Sequence, residues 1–232
     1  MESKQKQEKF TSKDYFESII LQLVNKYKNL KGGIQMNETK LKTKDLVNIG
    51  IFSVIYMALS MAVMIIPILS PILWLLWPAM TGIICNFIYM LLVSKVPKPG
   101  TALLLIAITG IIYFAIGECT FTIVITCVIA GVLAEITRKI LGYKSQKSVI
   151  VSSGLICIGL IGSPLPMWLF QESYMKSIIK MGMSPEYVNK LQTLISIPTL
   201  IGMIITAFIG GVIGAYIGKA MFKKRFEKAG IM

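Results

Sequence analysis

The run Leu46–Leu69, LVNIGIFSVIYMALSMAVMIIPIL, carries no charge from end to end, with Lys44 and Asp45 before it and Pro71 after it. About 20 apolar residues of helix cross the hydrocarbon core of a bilayer. In lipid the backbone must satisfy its own hydrogen bonds, so a helix is the form open to such a run. It reads as a membrane span. Ala58 and Ala62 stand four apart within it, on one helix face, where small side chains let another helix approach closely.

Composition places the rest of the chain in the same class. Of its 232 residues 55% are hydrophobic and 15% charged, and the mean hydropathy is +0.72. That is too apolar for a soluble domain of this length. The net charge is +13 with no histidine, but the basic residues cluster beside the ends of apolar runs, which points to membrane topology rather than to nucleic acid. Cys85, Cys119, Cys127 and Cys157 lie in or at the edge of apolar runs without CxxC spacing or histidine companions. They read as small buried hydrophobes, and neither a metal nor a cofactor is expected.

Upstream, residues 1–35 form a polar, lysine-rich leader ahead of a membrane domain over 36–232. Tyr15, Phe16, Ile19, Ile20, Leu23, Val24, Tyr27 and Leu30 follow helical spacing, with Thr11 or Ser12 as N-cap. One reading is an amphipathic helix on the inner membrane surface. The other takes Met36 as the natural start, because Lys31-Gly32-Gly33 is what a purine-rich ribosome-binding sequence spells when translated. The leader is no secretory signal, since charges interrupt its apolar residues.

Downstream, further apolar runs cover Ile72–Val93, Thr101–Gly117, Cys119–Leu133, Ser148–Phe170 and Thr193–Phe222. The expected fold is an all-α membrane protein of six transmembrane helices. Lysines and arginines fall on alternate loops: Lys40, Lys42 and Lys44; Lys95 and Lys98; Arg138, Lys139, Lys144 and Lys147; then Lys219, Lys223, Lys224, Arg225 and Lys228. The opposite side holds Lys176, Lys180 and Lys190. The excess belongs in the cytoplasm, so both termini are expected inside.

The outer side then owns Glu118, Glu172, Glu186 and all three tryptophans. Glu118 sits in a tight turn between two apolar runs, where an acid at membrane depth is costly and often functional; the plainer reading is a turn residue in interfacial water. Trp168 follows Gly162-Ser163-Pro164-Leu165-Pro166, whose prolines remove backbone donors and interrupt the helix. Such a break either lines a ligand cavity or simply ends the span. Trp74 and Trp77 divide between a pocket and anchorage at headgroup depth. The pocket residues expected are Glu118, Trp168 and Glu172, then Trp74 and Trp77. Glu135, three before Arg138, reads as its ion-pair partner. Ser184-Pro185-Glu186 starts a helix expected to run into the sixth span with a kink at Pro198, and Glu172–Met183 is either a cap or a linker. Gly210, Gly214 and Gly218, spaced by four, point to close helix packing, inside the chain rather than between subunits.

Several functions are excluded. Without histidine there is no HExxH zinc site and no Ser-His-Asp or Cys-His pair. No GxxxxGK[ST] motif exists, because Ile213 and Ala220 flank Gly218-Lys219 at the required positions. An enzyme is not expected, and small-molecule binding or transport remains.

KLKTKDLVNIGIFSVIY at Lys40–Tyr56, MSPEYVNKL at Met183–Leu191 and GGVIGAYIGKAMFKKRFEKAGI at Gly210–Ile231 resemble the Trep_Strep family of bacterial integral membrane proteins. These are regarded as substrate-binding S components of energy-coupling factor transporters. The resemblance implies six helices in the cell membrane, both termini inside, and an outer pocket capped by loops. It also implies docking through small residues of the first helix, here Ala58 and Ala62, onto a coupling transmembrane subunit joined to two cytoplasmic ATPases. A membrane protein that binds partner helices and transports nothing is the alternative from another class.

Overall fold

The computed structural model describes residues 40–180 and 182–228, so the leader over 1–35 and the start at Met36 lie outside the described residues. Within them the chain is helical, with no strand. The helices are α1 (Thr43–Met64), α2 (Pro71–Lys95), α3 (Thr101–Ala115), α4 (Thr122–Leu141), α5 (Gln146–Gly159), α6 (Pro166–Leu169), α7 (Gln171–Lys180), α8 (Pro185–Thr193) and α9 (Ile197–Lys228). Turns of 3₁₀ helix follow α1 at Ile66–Leu69 and α5 at Leu160–Gly162. Three helical segments, α1, α2 and Ile197–Met221 of α9, are long and apolar enough to cross a membrane; Thr101–Ala115 and Gln146–Gly162 are apolar but shorter.

Prolines and caps set the helix starts. Pro71, Pro166 and Pro185 each occupy the first turn, where the missing N–H would have no helical partner. Ser184 caps α8 by accepting the Tyr187 N–H at 3.2 Å. The expectation that this helix continues into the last one is corrected: α8 stops at Thr193, and α9 begins afresh at Ile197. Ser196 accepts the Thr199 N–H at 3.3 Å, so Pro198 stands in a capped first turn and not at a mid-helix kink.

α2 is the central element, 61% buried over its apolar window, against 28% for α1 and 33% for α9. It packs along α9, and α5 lies against α2, α4 and α9. The small residues are what bring α2, α5 and α9 together. A side chain at Gly82 would meet the backbone of Gly210 and Gly211, and one at Gly218 would meet Met90. The stripe Gly210, Gly214, Gly218 therefore packs inside the chain, as its spacing predicted. Asn86 of α2 donates to the Gly211 carbonyl at 2.8 Å, supplying the polar contact at this junction.

The outward faces are apolar. Ile51, Val54 and Ile55 of α1, Ile129 and Ile136 of α4, and Ile201 and Ile205 of α9 are all exposed. A soluble fold would bury such surfaces, whereas lipid solvates them. At the lysine-rich end, Asp45 accepts the Lys42 N–H at 2.9 Å and the Lys98 ammonium at 2.7 Å, tying the start of α1 to the loop before α3. Glu135 pairs with Arg138 at 3.4 Å, as read from their spacing.

Candidate functional site

The site is built where the chain stops being helical inside its fifth apolar run. α5 ends at Gly159, and the segment through Pro166 continues in 3₁₀ helix and hydrogen-bonded turns while staying almost wholly buried. Such a break frees carbonyls that must find donors. Thr126 donates to the Gly159 carbonyl and Thr122 to the Gly162 carbonyl, each at 2.7 Å. These two threonines, one helical turn apart on α4, are supporting residues that the sequence reading missed. Their spacing of four within an apolar run was the available signal.

The stabilised break forms one wall of a cavity of about 750 Å³ at the end of the bundle away from most lysines and arginines. Ser163 and Pro166 come from the break, Met64 and Trp74 from the α1 and α2 ends, and Ile116–Phe121 from the turn between α3 and α4. That turn depends on Gly117, whose φ of +79° suits a residue without a Cβ. Phe170 and the Ser173, Tyr174, Ser177 face of α7 complete the enclosure, with Met183 behind it. The rings of Phe121 and Phe170 lie 6.3 Å apart across the rim.

α7 covers the cavity because its other face is anchored. Met175 is buried in a second core with Val188, Leu191 and Met203, and Ile178 joins that core while also lining the cavity. α8 is tied down in turn, as the Tyr187 hydroxyl donates to the Pro67 carbonyl at 3.0 Å. Burial raises the hydroxyl pKa of Tyr174 and Tyr187 above the ordinary phenol value, so both stay neutral. At the exposed tip of α8 the Lys190 ammonium, 2.8 Å from Glu186, holds that carboxyl below its usual range.

The expected pocket residues separate. Glu118 and Trp74 line the cavity. Trp168 does not: its indole N–H donates to the Ser196 carbonyl at 3.1 Å, joining the break to the α8–α9 turn. Glu172 faces a neighbouring shallow hollow shared with Phe170 and Lys176. Trp77 is a core residue, 2% exposed, packed edge-on against Tyr113 at 6.0 Å and donating to the Ser60 carbonyl at 3.4 Å. Ala58 and Ala62 are both exposed on the outward face of α1, in line with Val54.

Comparison with protein families matches residues 43–228 to the family described as a hypothetical bacterial integral membrane protein, Trep_Strep. The chain belongs to the Trep_Strep family. No curated protein and no solved structure matches it. The Trep_Strep match runs from α1 to the end of α9 and so contains every element of the cavity. Trep_Strep membership makes the chain an integral membrane protein, in agreement with its exposed apolar faces.

Cys119, half-buried at the rim, offers a direct probe of this Trep_Strep cavity. Burial pushes its thiol up from an ordinary 9.0 to about 11. Only the thiolate alkylates, so at pH 8 the reaction with maleimide is expected to be about 100-fold slower than for a free thiol, and to accelerate up to about pH 11. A rate equal to that of free cysteine, followed by mass spectrometry of the Cys119 peptide, would contradict this burial.

Proposed function

We propose that the chain is the substrate-binding S subunit of an energy-coupling-factor importer. It captures a small molecule outside the cell and delivers it inward with a coupling transmembrane subunit and two cytoplasmic ATPases, which hydrolyse the ATP. The observation that carries this reading is the cavity at the lysine-poor end of the bundle, roofed by segments that are not themselves spans. A volume of about 750 Å³ lies within the usual range of small-molecule sites. The six spans are α1 to α5 and α9, with both termini and the basic loops in the cytoplasm. α3, of 15 residues, is about 22 Å long, which sets the Glu118 turn just inside the outer boundary.

Delivery requires a partner surface, and α1 supplies it. Ala58 and Ala62 are exposed on one face of α1, where their small side chains let another helix approach closely. Replacing both with tryptophan adds bulk to that exposed face without touching the core. Copurification with a co-expressed coupling subunit and its ATPases is expected to vanish, while the thermal midpoint of the isolated chain stays the same. Undiminished complex formation would remove α1 as the docking helix. The competing reading, a non-transporting membrane protein acting through helix contacts, uses the same face but leaves the cavity without a task. ATP-dependent uptake into vesicles holding the whole complex separates the two.

A further inference from the structure

We propose that the ligand of this cavity is a small organic cation, an amine protonated at neutral pH and carried on an apolar or aromatic body. The inference rests on the chain being a capture subunit and adds the chemical class of what it captures.

Charge is the first argument. Among the described residues Glu118 is the only Asp, Glu, Lys or Arg that lines the cavity. The basic residues of this end are engaged or directed elsewhere. Lys190 pairs with Glu186 at 2.8 Å, Lys176 lines the hollow of Glu172, and Lys180 closes α7 without lining the cavity. Glu118 makes no ion pair among the described residues. An anionic ligand would enter beside an uncompensated carboxylate with no cation to receive it. A cation would gain a charge-assisted contact.

The second argument is the wall. Trp74, Phe121, Phe170 and Tyr174 present aromatic surface to the same space. Aromatic faces attract ammonium groups, more strongly where water is displaced, and also stack on flat apolar bodies. The two observations describe one molecule: positive at one point and apolar over most of its surface.

The test uses two isosteric trios, tryptamine with tryptophol and indole-3-acetate, and tyramine with tyrosol and 4-hydroxyphenylacetate. Binding to the purified full chain in nanodiscs is measured by calorimetry at pH 7.5. The amine of at least one trio is expected to bind about tenfold or more tighter than its neutral partner, and the acid not at all. Glu118→Gln should erase the advantage of the amine over the alcohol. Trp74→Phe should weaken amine and alcohol alike. Equal affinity across a trio, preference for the acid, an amine advantage that survives in Glu118→Gln, or no binding by any member would overturn the assignment. None of these results bears on docking, which the α1 double variant reads separately, so the ligand class and the importer role fail independently.

Discussion

Valine at Gly211 is expected to lower the thermal midpoint of the protein sharply. Gly211 lies where α9 meets α5 backbone to backbone: a Cβ there would stand 2.5 Å from the Ser153 carbonyl oxygen, 2.7 Å from the Gly154 Cα and 2.9 Å from the Cys157 Sγ. The two nearest are backbone atoms, so relief requires the helices to part. Parting also breaks the Asn86 bond to the Gly211 carbonyl, which is 2.8 Å long and buried. Overpacking of a core costs about 1–3 kcal/mol or more, and the buried hydrogen bond adds about 1 kcal/mol. Set against a total stability of about 5–15 kcal/mol, that loss is large. The check is size-exclusion chromatography after graded heating in detergent. Gly202→Ala, where nothing lies within 4 Å, should behave as the parent. A Gly211→Val protein that melts with the parent would mean that α9 does not pack as described.

Glu135→Gln should destabilise the opposite end nearly as much. Arg138 is fully buried, and its Nη1 lies 3.4 Å from Glu135 Oε1. The same oxygen accepts the Ala102 N–H at 2.7 Å, where the first turn of α3 has amides without helical partners. Glutamine keeps an acceptor for Ala102 but removes the charge opposite a buried guanidinium whose Nε and Nη2 have no hydrogen-bond partner among the described residues. The face of Tyr143, 5.2 Å away, is left as the remaining stabilising contact. Leaving such a cation uncompensated costs about 3 kcal/mol. The double variant Glu135→Gln, Arg138→Met removes the stranded charge and should recover most of the loss, read as the thermal midpoint in nanodiscs. A single variant as stable as the parent would show that the pair carries no weight.

Much of the architecture could be read from the chain alone, because the signals involved are local. An uncharged run such as Leu46–Leu69 must be helical in lipid whatever surrounds it. Ser184-Pro185 starts a helix through contacts three residues apart, and Glu135 finds Arg138 one turn away on the same helix. The glycine spacing on α9 announced close packing, since only a face without side chains can approach another backbone. The break in the fifth run was equally legible from its prolines.

The sorting of the tryptophans was not local. Trp74 and Trp77 differ by three positions, yet one opens on the cavity and the other sits against Tyr113 in the core. Trp168, adjacent to the break in sequence, turns away to Ser196. Nothing in the spacing of these residues distinguishes them, and the stop at Thr193 was likewise invisible until Ser196 was seen to cap α9.

By itself the sequence determined that this chain is a helical membrane protein with an interrupted fifth run and an acid in the turn before α4. Only the tertiary structure decided which side chains share a cavity. That cavity is assembled from the ends of α1 and α2, the α3–α4 turn, the break and α7, segments more than 100 positions apart at the extremes. Their meeting is governed by how closely α2, α5 and α9 can pack through glycine, a property of surfaces in contact that no periodicity along the chain encodes.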